Sequence, residues 1–336
     1  MQIKSLIFGK ILFLFLLLIT SSELFVRYIL GIGDPILFKS HPTIEYEQLP
    51  SQNVQVFHNK IYINSLGMRS DELVFPKQKN IKRILIYGDS VIFGGNLLSD
   101  NELATNLLNR KLNKNENNFE IANISSGSWG PGNWLSHINE RGLYEADHVL
   151  IVINSNDYYD VPKYQSIVNN PRLPYKKPLF ASTFLFKRYL LPKLNTLYLK
   201  ISSNIFSAKE KNYSLIKKNS TIPYERKNSL EDLKKIINIL KKNNISVSVI
   251  QFWDRNEFKN NKPRSSNLLI RDLLKKNKIN VLQSIGHFKS CSFNAKDLYI
   301  DNIHPFKPIA QECLANLMKK SLESNPSLEI NNKIFD

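Results

Sequence analysis

Cysteine and histidine are scarce, with two and six copies in 336 residues, and no Cys-x-x-Cys or His-x-x-x-His pair occurs. The usual ligand spacings of zinc sites are therefore missing, and no metal or other cofactor is expected. Acidic residues are also few: 29 Asp and Glu stand against 46 Lys and Arg, a formal charge of +17. That balance raises nucleic acid as a partner, yet no zinc spacing, aromatic RNA-binding signature or recognition-helix pattern is present, so none is expected. The lysines are scattered and mixed with many asparagines, which points to a general compositional bias and leaves a mild attraction to anionic lipid or glycan. No internal repeat appears. Apolar residues are present in ordinary amount, 42% of the chain, enough for one large α/β domain with insertions or two modest domains.

One apolar run stands out near the N-terminus. Ile11 to Ile19 is unbroken, preceded by Lys4 and Lys10 and followed by Thr20-Ser21-Ser22-Glu23, the layout of a secretory signal. The run is short for a spanning helix, but Leu24, Phe25, Val26, Tyr28, Ile29 and Leu30 extend it past Glu23 and Arg27. An uncleaved signal anchor over 1–32 is expected, with a cleaved signal peptide as the alternative. The basic N-terminal flank keeps that end in the cytoplasm. The remainder is then expected in the bacterial periplasm or at the cell surface, held through the helix, or secreted if the signal is removed. In such a compartment Cys291 and Cys313 could pair as a disulfide, or remain two buried thiols.

Residues 33–80 read as a polar, Pro-punctuated lead-in that packs on the main domain, with a small hairpin around His58-Asn59 between Val54–Phe57 and Lys60–Asn64. The main domain spans 81–325. Ile84 to Gly88 is a buried strand. Ser99 to Glu102 has capping-box spacing before a helix with Leu103, Leu107 and Leu108. Phe119 to Ile124 is a strand, Asn133 to about Arg141 a helix, and Val149 to Ile153 another strand. This rhythm predicts an α/β fold with a mainly parallel sheet. It breaks over 158–228, a stretch rich in Tyr, Phe, Lys and Pro, read as an insertion packing on the sheet edge, or else a substrate cap or membrane-surface segment. It resumes with a helix from Ser229, a strand Ile245–Phe252, a helix Ser266–Lys276, a short strand Ile279–Leu282 and a last helix Pro308–Leu322. The tail, 326–336, is expected to be disordered.

Ile84-Leu85-Ile86-Tyr87-Gly88-Asp89-Ser90 carries the chemistry. Polar residues at the C-terminal end of such a strand sit where open α/β sheets bind ligands, which makes Ser90 a candidate nucleophile. Alone, the tripeptide also fits an ordinary capped strand-to-helix turn. A serine needs a base, and that base needs a group to fix its tautomer. Asp301 and His304 stand three apart, close enough to face one way in a turn. The α/β-hydrolase elbow is disfavoured, since it needs Gly two residues after the serine and Ile92 is there. Trp129, Asn133, Trp134, Tyr158 and Trp253 lie near predicted strand ends; they could line a substrate groove and stack on sugar, or simply pack.

Gly88-Asp89-Ser90, the Ser125–Asn133 loop, Asn154-Ser155-Asn156-Asp157 and Asp301-Asn302-Ile303-His304 resemble, in order, the four sequence blocks of the SGNH (GDSL) hydrolase superfamily. The resemblance covers about Arg83 to Leu322. It implies a flavodoxin-like three-layer α/β/α sandwich behind the N-terminal hydrophobic helix. It also implies a serine nucleophile at Ser90, whose own N–H serves the oxyanion hole, Asn156 as an amide donor there, and Asp301 and His304 as acid and base. Asp89 would brace the nucleophile turn. Two departures are visible. Asn154 stands where the family has glycine, and the second-block backbone donor falls on either Gly127 or Ser128. The implied activity is esterase cleavage of an O-acyl group, such as O-acetyl, on an envelope glycan through an acyl-enzyme. An O-acyltransferase acting on a polysaccharide is the close alternative, and an inactive glycan-binding or assembly protein the distant one.

Overall fold

The computed structural model describes the chain apart from residues 1, 115–117, 165, 169, 207–228, 329 and 331–336. Part of the expected insertion and most of the expected disordered tail therefore lie outside the described residues. The chain forms two compact units. One contains Met1–Phe38, Val54–His58 and Ile167–Glu225; the other contains Lys39–Asn53, Asn59–Ser166 and Arg226–Asp336. The expected lead-in is thus divided: 33–38 and 54–58 belong to the first unit, 39–53 and 59–80 to the second.

In chain order the strands are β1 Phe38–His41, β2 Glu45–Gln48, β3 Gln52–Val56, β4 Asn59–Ile63, β5 Lys82–Gly88, β6 Phe119–Ser125, β7 His148–Asn154, β8 Ser246–Phe252 and β9 Asn280–Gln283. The α-helices are α1 Gln2–Leu24, α2 Ser90–Phe93, α3 Ala104–Leu112, α4 Pro131–Arg141, α5 Ala181–Leu185, α6 Leu191–Phe206, α7 Leu230–Lys242, α8 Arg255–Asn260, α9 Ser265–Lys276, α10 Ser284–Cys291, α11 Ala295–Leu298 and α12 Pro308–Glu323.

The second unit is built on a five-stranded sheet in the order β6-β5-β7-β8-β9, every neighbour parallel. Counting only these strands, the order is 2-1-3-4-5, the flavodoxin-like arrangement, whose ligand crevice opens between the first and third strands. Both faces are covered, which is why the central strands read as unbroken apolar runs. Ile84, Ile86, Leu150, Val152, Ile250 and Phe252 pack on the side of α3, α10 and α12, forming one buried cluster with Leu108, Phe288, Leu314 and Leu317. On the other side α4, α7 and α9 pack together, with Leu233, Ile236, Ile237 and Leu240 of α7 fully buried. The expected α/β/α sandwich is the observed one.

Local differences have local causes. The capping box of Ser99 and Glu102 forms, but it closes a single 3-10 turn, and α3 starts only at Ala104 because buried Leu103 is extended. Helix α4 begins at Pro131, two residues before expectation, since proline at the first turn forfeits no hydrogen bond. Phe57 and His58, both at positive φ, separate β3 from β4. The tail departs from expected disorder in that Pro326–Leu328 forms a 3-10 turn with Leu328 buried. Cys291 and Cys313 form a disulfide with Cα atoms 6.3 Å apart, joining α10 to α12. His287 stands beside them, but the bonded sulfurs offer a metal no thiolate.

In the first unit α1 continues as a π-helix over Phe25–Ile29. Ile7–Ile29 is long and apolar enough to cross a membrane. A second helical run follows from Ala181 to Phe206, comprising α5, a π-helix Phe186–Leu190 and α6. Val26, Ile32, Ala181 and Phe184 form a small core between the two runs.

Candidate active site

Strand β5 ends at Gly88, and Asp89 caps α2 by accepting the Val91 N–H at 2.8 Å. The turn is tight enough that a Cβ on Gly88 would lie 2.8 Å from Ile92 Cβ, so glycine is required by close approach. The Gly88→Ala protein is expected to push α2 outward and move Ser90 by a fraction of an ångström or more, lowering kcat by about 10²-fold. Unchanged kcat on a chromogenic ester would refute this steric account.

Ser90 is the first residue of α2 and is half-buried. Its Oγ lies 2.8 Å from His304 Nε2, and His304 Nδ1 lies 2.6 Å from Asp301 Oδ2. A carboxylate only accepts, so Nδ1 carries the proton and Nε2 is left to accept from the hydroxyl. The other oxygen of Asp301 accepts the backbone N–H groups of Ile303 and His304 at 2.9 and 2.8 Å. Burial alone would raise the Asp301 pKa; those N–H groups and the imidazole outweigh it and hold the carboxyl below its ordinary range. Phe306 lies against the imidazole with ring centroids 4.8 Å apart. Buried Gln311 of α12 donates to Pro305 O at 2.8 Å and accepts from Ala104 N at 2.8 Å, fixing the chain beyond His304.

Three loops supply hydrogen-bond donors around this line. Among the described residues nothing accepts the backbone N–H of Ser90, Gly127 or Ser128. Of the two second-block candidates, Ser128 is the one in the left-handed region, at φ 62, while Gly127 is not. The lead-in holds this loop: Tyr46 donates to Gly127 O, Gln48 to Ser125 O at 2.9 Å, and Trp129 to Tyr46 O at 3.0 Å. A Cβ on Gly130 would meet Asp160 O at 2.7 Å, so the loop also lies directly on the chain after β7.

At the end of β7, Asn154 does what a glycine cannot. Its amide donates to Asp89 Oδ2 at 3.0 Å and to Asp157 Oδ2 at 2.9 Å, and its Oδ1 accepts the Asn156 N–H at 2.8 Å. The Gly88–Ser90 turn and the Asn156 loop are thereby tied through one side chain. Arg264 donates from Nη1 to Asn156 Oδ1 at 3.1 Å, and its Nη2 is 2.6 Å from buried Asp254. A guanidinium has no acceptor, so the atom it meets must be the amide oxygen, and the Asn156 NH2 faces away from it. Buried Glu257 completes the brace by accepting from Ser155 Oγ at 2.6 Å and Arg264 N at 2.7 Å.

Several carboxyls sit close behind. Burial raises the Asp89 pKa against the Val91 N–H, His304 and the Asn154 amide. Asp157 is pushed far up by burial and by Asp89, and its Oδ1 has no partner among the described residues. Burial, with Asp89 adding to it, lifts Asp160 to about 7. Since that lies above the ordinary 3.8, the folded state keeps the proton longer than the unfolded one. The stabilisation is full below about pH 4 and is lost as pH rises through 7, a span of up to about 4 kcal/mol. Asp160→Asn should gain Tm relative to wild type at pH 8 and little at pH 4. An equal difference at both pH values would contradict it.

The aromatic wall is not there. Trp129, Asn133, Trp134 and Trp253 are buried, and their N–H groups go to Tyr46 O, Ile44 O, Gly88 O and Gln283 Oε1. Rings with their polar atoms satisfied inside the core cannot stack on a ligand. Tyr158 alone of the group is half-exposed, edge-on to Tyr159 with centroids 4.7 Å apart. Asp254-x-x-Glu257 has capping-box spacing after β8 and was legible in the sequence; Arg264 and Gln311 carry no such signal.

No protein-family model matches the chain, and no curated protein does. In fold it resembles esterases and GDSL hydrolases of known structure. One is the psychrotrophic esterase EstA from a Pseudoalteromonas species, 15% identical, with 72% of this chain and 97% of that one covered and a TM-score of 0.42. Another is the acetyl xylan esterase AlAXEase, at 12% identity, 71% and 99% coverage and TM-score 0.44. A third is a G-D-S-L family protein from Desulfitobacterium hafniense DCB-2, at 11% identity, 71% and 99% coverage and TM-score 0.39.

Proposed function

We propose that this chain is a serine ester hydrolase of the SGNH type. The observation that carries the reading is the line Ser90 Oγ, His304, Asp301, with links of 2.8 and 2.6 Å. Ser90 Oγ attacks the ester carbonyl carbon while His304 Nε2 takes its proton, and Asp301 balances the imidazolium. The carbonyl oxygen, now anionic, accepts from Ser90 N–H, from Gly127 or Ser128 N–H and from Asn156 Nδ2. Collapse breaks the bond to the alcohol, which leaves with the proton from His304. Water then attacks the acyl-serine with His304 as base, and the acid is released.

The side chains of Asp301 and His304 are 51% and 25% exposed, so an acceptor, water included, can reach the acyl-enzyme. The N-terminal helix supports a chain anchored with its catalytic unit outside the cytoplasm, or exported if that helix is removed. An O-acyl ester, such as an O-acetyl ester, on an envelope glycan fits that place. The test is to label the purified full chain with a fluorophosphonate, then to incubate it with an acetylated oligosaccharide and weigh the products. Labelled Ser90 and free acetate support the reading. Acetyl moved to a second sugar would replace it with the O-acyltransferase, and an unlabelled, folded protein would leave the glycan-binding reading.

A further inference from the structure

The first unit carries an apolar face that its own core does not cover. The helical run Ala181–Phe206 is about 39 Å long at 1.5 Å per residue. Among the described residues, the buried cluster that joins it to the first run takes in Ala181, Phe184, Leu185 and Tyr189, all near its start. Beyond that point Leu190, Leu191, Leu194, Leu197 and Tyr198 recur at helical spacing and are 38–70% exposed.

Two observations say what meets this face. First, the run starts at the end of the apolar helix Ile7–Ile29. Glu23 accepts the N–H groups of Ala181 and Ser182 at 2.7 and 3.0 Å, and Arg27 donates to Leu179 O at 2.8 Å while pairing with Glu23 at 2.6 Å. Second, Val161 to Ala208 contains eight Lys and Arg and no Asp or Glu. In a chain with 29 acids in 336 residues, that stretch is selectively cationic. Apolar side chains beside a spanning helix, on a stretch whose own charges are all cationic, suit the headgroup layer of an anionic leaflet.

We propose that Leu190–Phe206 lies in the membrane interface as a second point of attachment, with Leu191, Leu194 and Leu197 among the acyl chains and Lys193 among anionic headgroups. The inference rests on the anchor reading above.

The full chain can be labelled with an environment-sensitive fluorophore at Leu194→Cys, Thr196→Cys or, as an anchor control, Leu14→Cys. It is then placed in vesicles of phosphatidylcholine with phosphatidylglycerol. The expected result is a blue-shifted emission at 194, quenched by lipids with doxyl-labelled chains, and an aqueous emission at 196. In phosphatidylcholine alone the quenching at 194 should weaken. An aqueous, iodide-accessible probe at 194 with a lipid-quenched probe at 14 overturns the inference and spares the anchor. An aqueous probe at 14 removes the anchor itself. A probe at 194 shielded from iodide yet untouched by doxyl lipid would mean a protein surface covers the face, and that too overturns it.

Discussion

Ser90→Ala is expected to lower ester turnover by roughly 10⁵-fold or more and to abolish fluorophosphonate labelling, with Tm close to wild type. The variant keeps the His304–Asp301 pair but has no oxygen to attack with. His304→Ala should cost about as much, because a serine hydroxyl without a base is a weak nucleophile. The double variant should be hardly worse than either, since the two groups act as a unit. Stopped assays with p-nitrophenyl acetate, alongside thermal melts, would measure all three. Wild-type turnover by Ser90→Ala would end the serine mechanism.

The second large effect belongs to Asn156. Its alanine variant should lose about 10²–10³ in kcat with KM little changed, because an oxyanion donor acts on charge that exists only in the transition state. Arg264→Met should give a smaller loss of the same kind, about tenfold, by releasing the amide oxygen that the guanidinium holds. The decisive measurement is the double variant. If Arg264 acts by orienting Asn156, removing it from Asn156→Ala should cost almost nothing further. Additive losses would assign Arg264 a separate role. A normal kcat for Asn156→Ala would remove the oxyanion assignment itself.

How much of this was legible in the sequence depends on how local each interaction is. The sheet strands were readable because doubly covered parallel strands are continuous apolar runs, as β5 and β7 are. Ser90 was readable from its place at a strand end, and Asp301 with His304 from a three-residue spacing. The short helices α8, α10 and α11 were missed, since one or two turns give little periodicity. Tyr46, Arg264 and Gln311 were missed because each acts across the fold, Gln311 on Ala104 over 207 residues. Tryptophan was left undecided between groove and core, since its presence at a strand end says nothing of which way the ring turns; Trp134 is wholly buried with its N–H on Gly88 O. Asn154 looked like a loss of the family's glycine, and its bridge to Asp89 and Asp157 appears only once both loops are in place.

The turn from Asp301 to His304 has a consequence for assembly. Two backbone bonds and one side-chain bond tie the acid to the base inside four residues, so the tautomer and ring direction are set by contacts that require no loop closure. The link from the imidazole to Ser90 spans the chain, at a separation of 214 residues. The acid–base pair is in effect a cassette, and the sheet's remaining task is to deliver it to a single oxygen. Changes elsewhere in the fold should then alter one distance while leaving the pair's internal geometry intact. Such a division lets surrounding loops diverge widely before the chemistry is lost.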